Sequence, residues 1–234
     1  MKKLIVVSGA TRGIGRAIAE KFAKQGFDIV VSARNEAHLK TMQTQISQTY
    51  NVACYTHVAD MSVKEEVLGF ANFIKSLQRK VDVLVNNAGL YIQGNISTEE
   101  DGNLEKLMNT NLYSAYYLTK ALLQEMIEQK DGHIFNICSI ASLIAYNNSG
   151  AYTISKFALL GFSKSLREEL KPHQVRVTSV MPGATFTDSW KDAPVSEDRL
   201  MPASDIAEII WATYTLSKNS VVEDIVIRPQ LGDL

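Results

Sequence analysis

Several kinds of evidence are scarce in this chain, and each scarcity excludes something. There are only two cysteines in 234 residues, Cys54 and Cys138. Both fall in expected strands at well-separated places in one sheet, too far apart to bridge at ~4.8 Å per strand step. Two buried free thiols match a reducing, cytoplasmic compartment. Charge of one sign is also missing. A formal net charge of −1 argues against a nucleic-acid partner, whose binding rests on a basic surface that neutralises phosphates. Long apolar runs are absent too: Leu4–Val7 and Val83–Val85 fall far short of the ~20 residues that cross a bilayer. Lys2-Lys3 before Leu4–Val7 resembles the start of a secretion signal. That apolar stretch is shorter than the roughly 7–15 residues of a signal core, and Arg12 follows too soon. The four histidines, His38, His57, His133 and His173, are scattered without metal-ligand spacing, so no metal is expected. No repeat, low-complexity tract or linker interrupts the chain.

What is present is ordinary globular material, 46% hydrophobic and 21% charged, in a length that suits one domain over residues 1–234. Short aliphatic runs alternate with amphipathic stretches. The pattern predicts strands at Leu4–Ser8, Asp28–Ala33, Ala53–His57, Val81–Asn86, His133–Cys138, Val175–Met181 and Val222–Arg228. Helices are expected between them at Gly13–Gln25, Glu36–Gln48, Val63–Gln78, Leu104–Gln129, Tyr152–Leu170 and Ala203–Leu216. Strands apolar on both faces, regularly separated by helices, mean an α/β doubly wound Rossmann-type fold. Its seven-stranded, mostly parallel sheet carries helices on both faces. In such sheets ligands collect beyond the carboxyl ends of the strands, and the unusual residues of this chain cluster there.

The first strand runs into Ser8-Gly9-Ala10-Thr11-Arg12-Gly13-Ile14-Gly15. Gly9 permits the turn out of the strand. Gly13 and Gly15 let a helix start approach a pyrophosphate, where free N–H groups and the helix dipole favour negative charge. The spacing is G-x-x-x-G-x-G, and the plainer alternative is a glycine-rich turn without a ligand. Its place at the first strand–helix junction favours a dinucleotide. An NAD site usually ends strand two in a carboxylate that holds the ribose 2′-hydroxyl. Here that strand ends Ser32-Ala33-Arg34-Asn35, and Asp28 lies at its wrong end. Arg34, with Arg12 from the glycine turn, would fork around a 2′-phosphate. NADP(H) is therefore the expected cofactor.

Tyr152 and Lys156, in Tyr152-Thr153-Ile154-Ser155-Lys156, share one helix face. An ammonium ~4 Å from a phenol is worth up to about 4 kcal/mol at an effective dielectric of 20, or about three units of pKa. That would bring the tyrosine towards the range where general acid–base work is efficient. Tyrosine and lysine meet at this spacing by chance in many surface helices. Ser139, at the carboxyl edge of the fifth strand and thirteen residues earlier in the chain, adds a hydroxyl able to bond a substrate carbonyl. Its plainer role is to cap a turn. Ser142 and Ser155 lack the strand-end position and read as structural.

With these residues in place the chain resembles the short-chain dehydrogenase/reductase family along nearly its whole length. The resemblance rests on Gly9, Gly13 and Gly15; Asn86-Asn87-Ala88-Gly89; Asn111; Ser139; and Tyr152 with Lys156. It implies hydride transfer between a nicotinamide and a carbonyl or secondary alcohol, with Tyr152 as general acid or base. Lys156 would hold the nicotinamide ribose and acidify the phenol. Asn111 would anchor a proton-supplying water, its plainer role being a buried helix asparagine bonded to backbone. Asn86 to Gly89 would wall the cofactor cleft. Asp60, with Met61 beside it, is similar to the residue that contacts adenine. Pro182, Gly183, Thr185 and Thr187 resemble the segment that holds the carboxamide. Thr11 and Ile14 complete the expected cofactor contacts.

Substrate contacts are expected from Leu90, Tyr91, Ile140 and Tyr146, and from a lid at residues 188–201 carrying Trp190. Many such proteins reduce ketoacyl groups on a carrier protein. This chain closes with Ile225-Val226-Ile227-Arg228-Pro229-Gln230 instead of a glycine-rich tail, which puts that substrate in doubt. Two other readings stand beside the oxidoreductase. One is an epimerase or dehydratase of the same fold that retains its cofactor; the other is a non-catalytic NADP sensor. A homodimer or homotetramer is expected by resemblance, paired through the helices at Leu104–Gln129 and Tyr152–Leu170.

Overall fold

The computed structural model describes residues 1–187 and 195–232. Seven strands form one sheet: β1 (Leu4–Ser8), β2 (Asp28–Ala33), β3 (Cys54–Val58), β4 (Val83–Asn86), β5 (Gly132–Ile137), β6 (Val175–Pro182) and β7 (Asp224–Ile227). Their order is β3-β2-β1-β4-β5-β6-β7, and every neighbouring pair is parallel. The helices are α1 (Gly13–Lys24), α2 (Glu36–Tyr50), α3 (Lys64–Ser76), α4 (Asn103–Met108), α5 (Ser114–Gln129), α6 (Gly150–Leu170) and α7 (Ala203–Thr215).

Period two along the strands sorts the core into two layers. Ile5, Val7, Ile29, Val31, Val83, Val85 and Phe135 face one side, where Phe22 of α1, Met42 of α2 and Ile210 of α7 cover them. Leu4, Val6, Val30, Leu84, Ile134 and Val177 face the other, under Phe70 of α3, Leu122 of α5 and Leu166 of α6. Right-handed crossovers place α1 and α2 on one face and, once the winding reverses between β1 and β4, α3, α5 and α6 on the other. That reversal opens a crevice at the carboxyl ends of β1 and β4, and the glycine turn lies directly on it.

The expected strands and helices are all present, with ends displaced by a few residues. The one change of kind is in the predicted Leu104–Gln129 helix. It is interrupted by a π-helical turn at Asn109–Tyr113, which separates α4 from α5. A π turn is an insertion into the helical ladder, frequent where function needs a side chain re-aimed; here it carries Asn111. Cys54 and Cys138 are buried free thiols at separate places in the sheet region, pushed by burial up to about 12 and about 11. No helix among the described residues is long and apolar enough to cross a membrane.

Candidate active site

The crevice is closed underneath by Ser8 at the end of β1. Its hydroxyl oxygen accepts the N–H groups of Asn87 and Ala88, both at 3.0 Å. The Asn87 amide answers by donating to the carbonyls of Ser8 (2.9 Å) and Gly9 (2.8 Å). Gly9 has φ +65° and Gly13 φ +55°, conformations a side chain would strain. A Cβ on Gly13 would meet Thr187 at 3.1 Å, which places Thr187 beside the turn. An added Cβ on Gly15 would stand 2.4 Å from the Asn87 amide nitrogen, so Asn87 needs the space this glycine leaves.

The amino end of α1 suits an anion. Arg12 is its cap residue but makes no capping hydrogen bond from its side chain, and no acid stands in the first turn. The first N–H groups are thus offered outward, the arrangement that binds phosphate at helix starts. Arg12 is exposed and Thr11 half-buried there. Ile14 packs against the core, which leaves its backbone N–H as what it can offer a ligand.

Arg34 lies just past β2, largely exposed, 4.0 Å from the carboxylate of Asp60. Burial would lift the Asp60 carboxyl, but bonds from the Ser62 N–H and hydroxyl, with the Arg34 charge, outweigh it and hold the acid below its ordinary value. Arg34 and Asp60 therefore share the β2–β3 side of the crevice. Met61 is buried beneath them, its sulfur accepting from the Ser32 hydroxyl at 3.5 Å. Pro182 ends β6, the Gly183 N–H donates to the Ile227 carbonyl at 2.8 Å, and the Thr185 hydroxyl donates to the Gly183 carbonyl at 3.0 Å.

Across the crevice stand the catalytic candidates. Tyr152 and Lys156 lie one turn apart in α6, with the lysine nitrogen 5.8 Å from the phenol ring centre. That nitrogen is buried and donates to the Ile137 carbonyl at 3.0 Å. Burial lowers the Lys156 pKa to about 8, against an opposing pull from Cys138. Tyr152 does not behave as its spacing from a lysine suggests. Burial pushes the phenol above its ordinary value, a hydrogen bond with the Ser139 hydroxyl draws it down, and neighbouring Cys138 adds to the rise. Desolvation disfavours the phenolate more than the neighbours favour it, so in the ligand-free chain Tyr152 remains a protonated acid at neutral pH.

Ser139 fills the plainer role considered for it and adds a contact to Tyr152. Its hydroxyl caps the short 3-10 turn Ile140–Ser142, accepting the Ala141 N–H at 3.1 Å, and it also reaches Tyr152. Ser142 returns a contact to the Ser139 N–H at 3.3 Å. The plainer alternative describes the Asn111 side chain. Its carbonyl oxygen accepts the Leu90 N–H at 2.7 Å, and its amide donates to the Leu90 carbonyl at 3.0 Å and the Ser155 hydroxyl at 2.9 Å. Ser155 in turn donates to the Tyr152 carbonyl at 2.7 Å. Asn111 thereby ties the segment after β4 to the turn of α6 that carries Tyr152. Gly89 adjoins the same knot: a Cβ added there would stand 3.5 Å from the Asn111 carbonyl oxygen and 3.6 Å from the Lys156 nitrogen.

Asn86 does not wall the cleft. It is buried, donating to Thr119 of α5 and Asn136 of β5, both at 2.8 Å, and Asn136 continues to Ser163 of α6 at 2.7 Å. This polar chain behind the site escapes sequence reading, because its members lie decades of residues apart and each looks like an ordinary strand or helix position. The expected pocket residues are mixed. The Tyr91 ring meets Tyr152 edge-on at 4.9 Å, and its hydroxyl is 3.2 Å from that of Ser149. Tyr146 is half-buried, Leu90 exposed and Ile140 buried. Trp190 and residues 188–194 of the expected lid lie outside the described residues. The end of that segment returns to the crevice, with Met201 bridged to Thr185.

Known proteins share this fold. Residues 3–198 match the family described as short chain dehydrogenase. A sepiapterin reductase of Chlorobaculum tepidum is 34% identical over 100% of this chain and 99% of its own. A metagenomic short-chain oxidoreductase, solved in complex with NADP, superposes with TM-score 0.85 at 33% identity over 97% of each chain. An alcohol dehydrogenase of the archaeon Thermococcus sibiricus, complexed with 5-hydroxy-NADP, reaches TM-score 0.92 at 25% identity over 100% of this chain and 99% of that one.

Proposed function

The chain belongs to the short-chain dehydrogenase family of oxidoreductases, and from that premise we propose that it reduces a carbonyl to an alcohol with NADPH, Tyr152 giving the proton. The observation that carries the proposal is the Ser139–Tyr152 hydrogen bond with the Lys156 ammonium buried beside it. The glycine turn and the uncapped start of α1 fit a pyrophosphate. The exposed Arg34 past β2, where an NAD site has a carboxylate, favours a 2′-phosphate. The similar proteins solved with NADP point the same way. NADPH, when bound, supplies the hydride.

The chain's own residues manage the oxygen. The Ser139 hydroxyl hydrogen-bonds the carbonyl oxygen and steadies the charge that develops on it. Tyr152 donates its phenolic proton there. Its raised pKa keeps that proton in place at neutral pH, so the ligand-free site holds Tyr152 in its acid form. As a base Tyr152 would need its phenolate form, which the buried Lys156 ammonium beside it would stabilise below about pH 8. Asn111 and Ser155 hold the Tyr152 turn in register. Tyr91 forms an aromatic wall beside the reacting oxygen.

The test is NADPH consumption over a panel of ketones, aldehydes, sepiapterin and a ketoacyl thioester, with NADH in parallel. Tyr152→Phe should cost at least about a hundredfold in rate with cofactor affinity unchanged. Activity within a few-fold of the parent removes Tyr152 from the mechanism.

Exposed Leu104, Tyr113 and Tyr116 around the π turn, with Ile154 and Phe157 on α6, support a homo-oligomer paired through these helices. The unbridged buried thiols support a cytoplasmic location.

A further inference from the structure

A cavity of about 330 Å³ opens at the edge of the sheet opposite Ser139 and Tyr152. It lies at the amino ends of the strands, between Lys3 before β1, Arg176 at the start of β6, and Trp211 and Tyr214 on α7. This volume is at the lower end of the range of small-molecule sites, about 300–1,000 Å³. Nothing in the proposed reaction uses these residues.

Two features set the chemistry of an occupant. The first is a pre-packed aromatic wall. Phe27 meets Trp211 at 6.0 Å and Tyr214 at 5.5 Å, both edge-on, while Trp211 and Tyr214 lie 5.7 Å apart and tilted by 35°. Trp211 and Tyr214 are only half-buried, so ring surface remains for a guest. The second is unevenly matched charge. The acids at the rim have partners: Asp131 is bridged by Lys80 at 2.7 Å and Lys218 at 2.9 Å, and Asp82 receives the Leu4 N–H at 2.8 Å with Lys80 at 3.6 Å. The cations Lys3 and Arg176 hydrogen-bond to neutral oxygens and lie against the Tyr214 ring, with the charge of Asp131 felt by both. Lys3 donates to the Tyr214 hydroxyl at 2.8 Å, and Arg176 donates to the carbonyls of Tyr214 at 3.2 Å and Leu216 at 3.4 Å. A half-buried guanidinium hydrogen-bonded to carbonyls is incompletely compensated, and burial draws the Arg176 pKa down against the opposing pull of Tyr214 and Asp131.

We propose that this cavity binds a small planar aromatic carboxylate, its ring against Trp211 and Tyr214 and its anion on Arg176 and Lys3. Arginine's planar fork matches a carboxylate in two parallel bonds, and ring stacking supplies affinity that an aliphatic anion would forgo. An aromatic amine would have to displace lysines already bonded to Asp131.

The experiment is calorimetric titration of the full chain with benzoate, benzamide and benzylamine at low ionic strength, with and without saturating NADPH. Benzoate should bind at least about tenfold more tightly than either isostere, and NADPH should leave its affinity unchanged. Arg176→Gln should weaken benzoate about tenfold. Lys3→Gln should weaken it several-fold, and this exposed residue serves if the Arg176 variant does not fold. The proposal is overturned by equal binding of benzamide, by unchanged affinity in both variants, or by no saturable binding. Loss of benzoate binding with NADPH bound, or in Tyr152→Phe, would move the ligand to the active-site crevice and overturn it equally.

Discussion

Replacing Lys156 by methionine should make the ligand-free protein more stable at neutral pH while abolishing its activity. The lysine nitrogen is buried and donates to a neutral carbonyl, that of Ile137. Its folded pKa is about 8, against roughly 10.4 in an unfolded chain. The sign follows from proton uptake: between these values the unfolded state binds more protons, so the lysine's contribution to stability improves as pH rises. Below pH 8 the folded state carries the full penalty, about 3 kcal/mol at 1.36 kcal/mol per unit. By pH 10 under 1 kcal/mol of it remains, so the change from pH 7 is about 2.5 kcal/mol. Urea unfolding of Lys156→Met and the parent at pH 7, 8, 9 and 10 measures this directly, because other titrating groups cancel in the difference. The variant should lead at pH 7, and its lead should shrink by about 2.5 kcal/mol by pH 10. A gap that does not depend on pH refutes the reasoning, and a growing gap reverses it.

Gly15→Ala should destabilise the fold by about 2–4 kcal/mol, since its Cβ displaces the Asn87 amide and breaks two hydrogen bonds. Gly161→Ala, in the open middle of α6, should instead stabilise it by about 0.5–1 kcal/mol; the same unfolding sign for both would discredit the close-approach argument. Arg34→Ala should weaken NADPH binding at least about tenfold and NADH binding little, and equal losses would end the 2′-phosphate assignment. Sedimentation velocity should find a dimer or larger, and Phe157→Asp should shift it towards monomer; a monomeric parent rejects pairing through α6.

Much of this molecule can be read from its residues in order. Alternating aliphatic and amphipathic stretches dictate the βα succession, because hydrophobic period is a local property. The glycine turn after β1, the arginine past β2 and the one-turn spacing of Tyr152 and Lys156 are local as well. What depends on burial and on distant partners had to await tertiary structure. Gly15 is required by Asn87, seventy-two positions away. Asn86 turns out to brace β5 and α5, and the Asn111 amide is satisfied by Leu90 and Ser155. The π turn that aims Asn111 interrupts what reads in sequence as continuous helix. The phenol of Tyr152 moves up where helical spacing alone argues down. Spacing specifies which charges are neighbours, but the sign of a pKa shift is set by how much water the folded chain leaves around them.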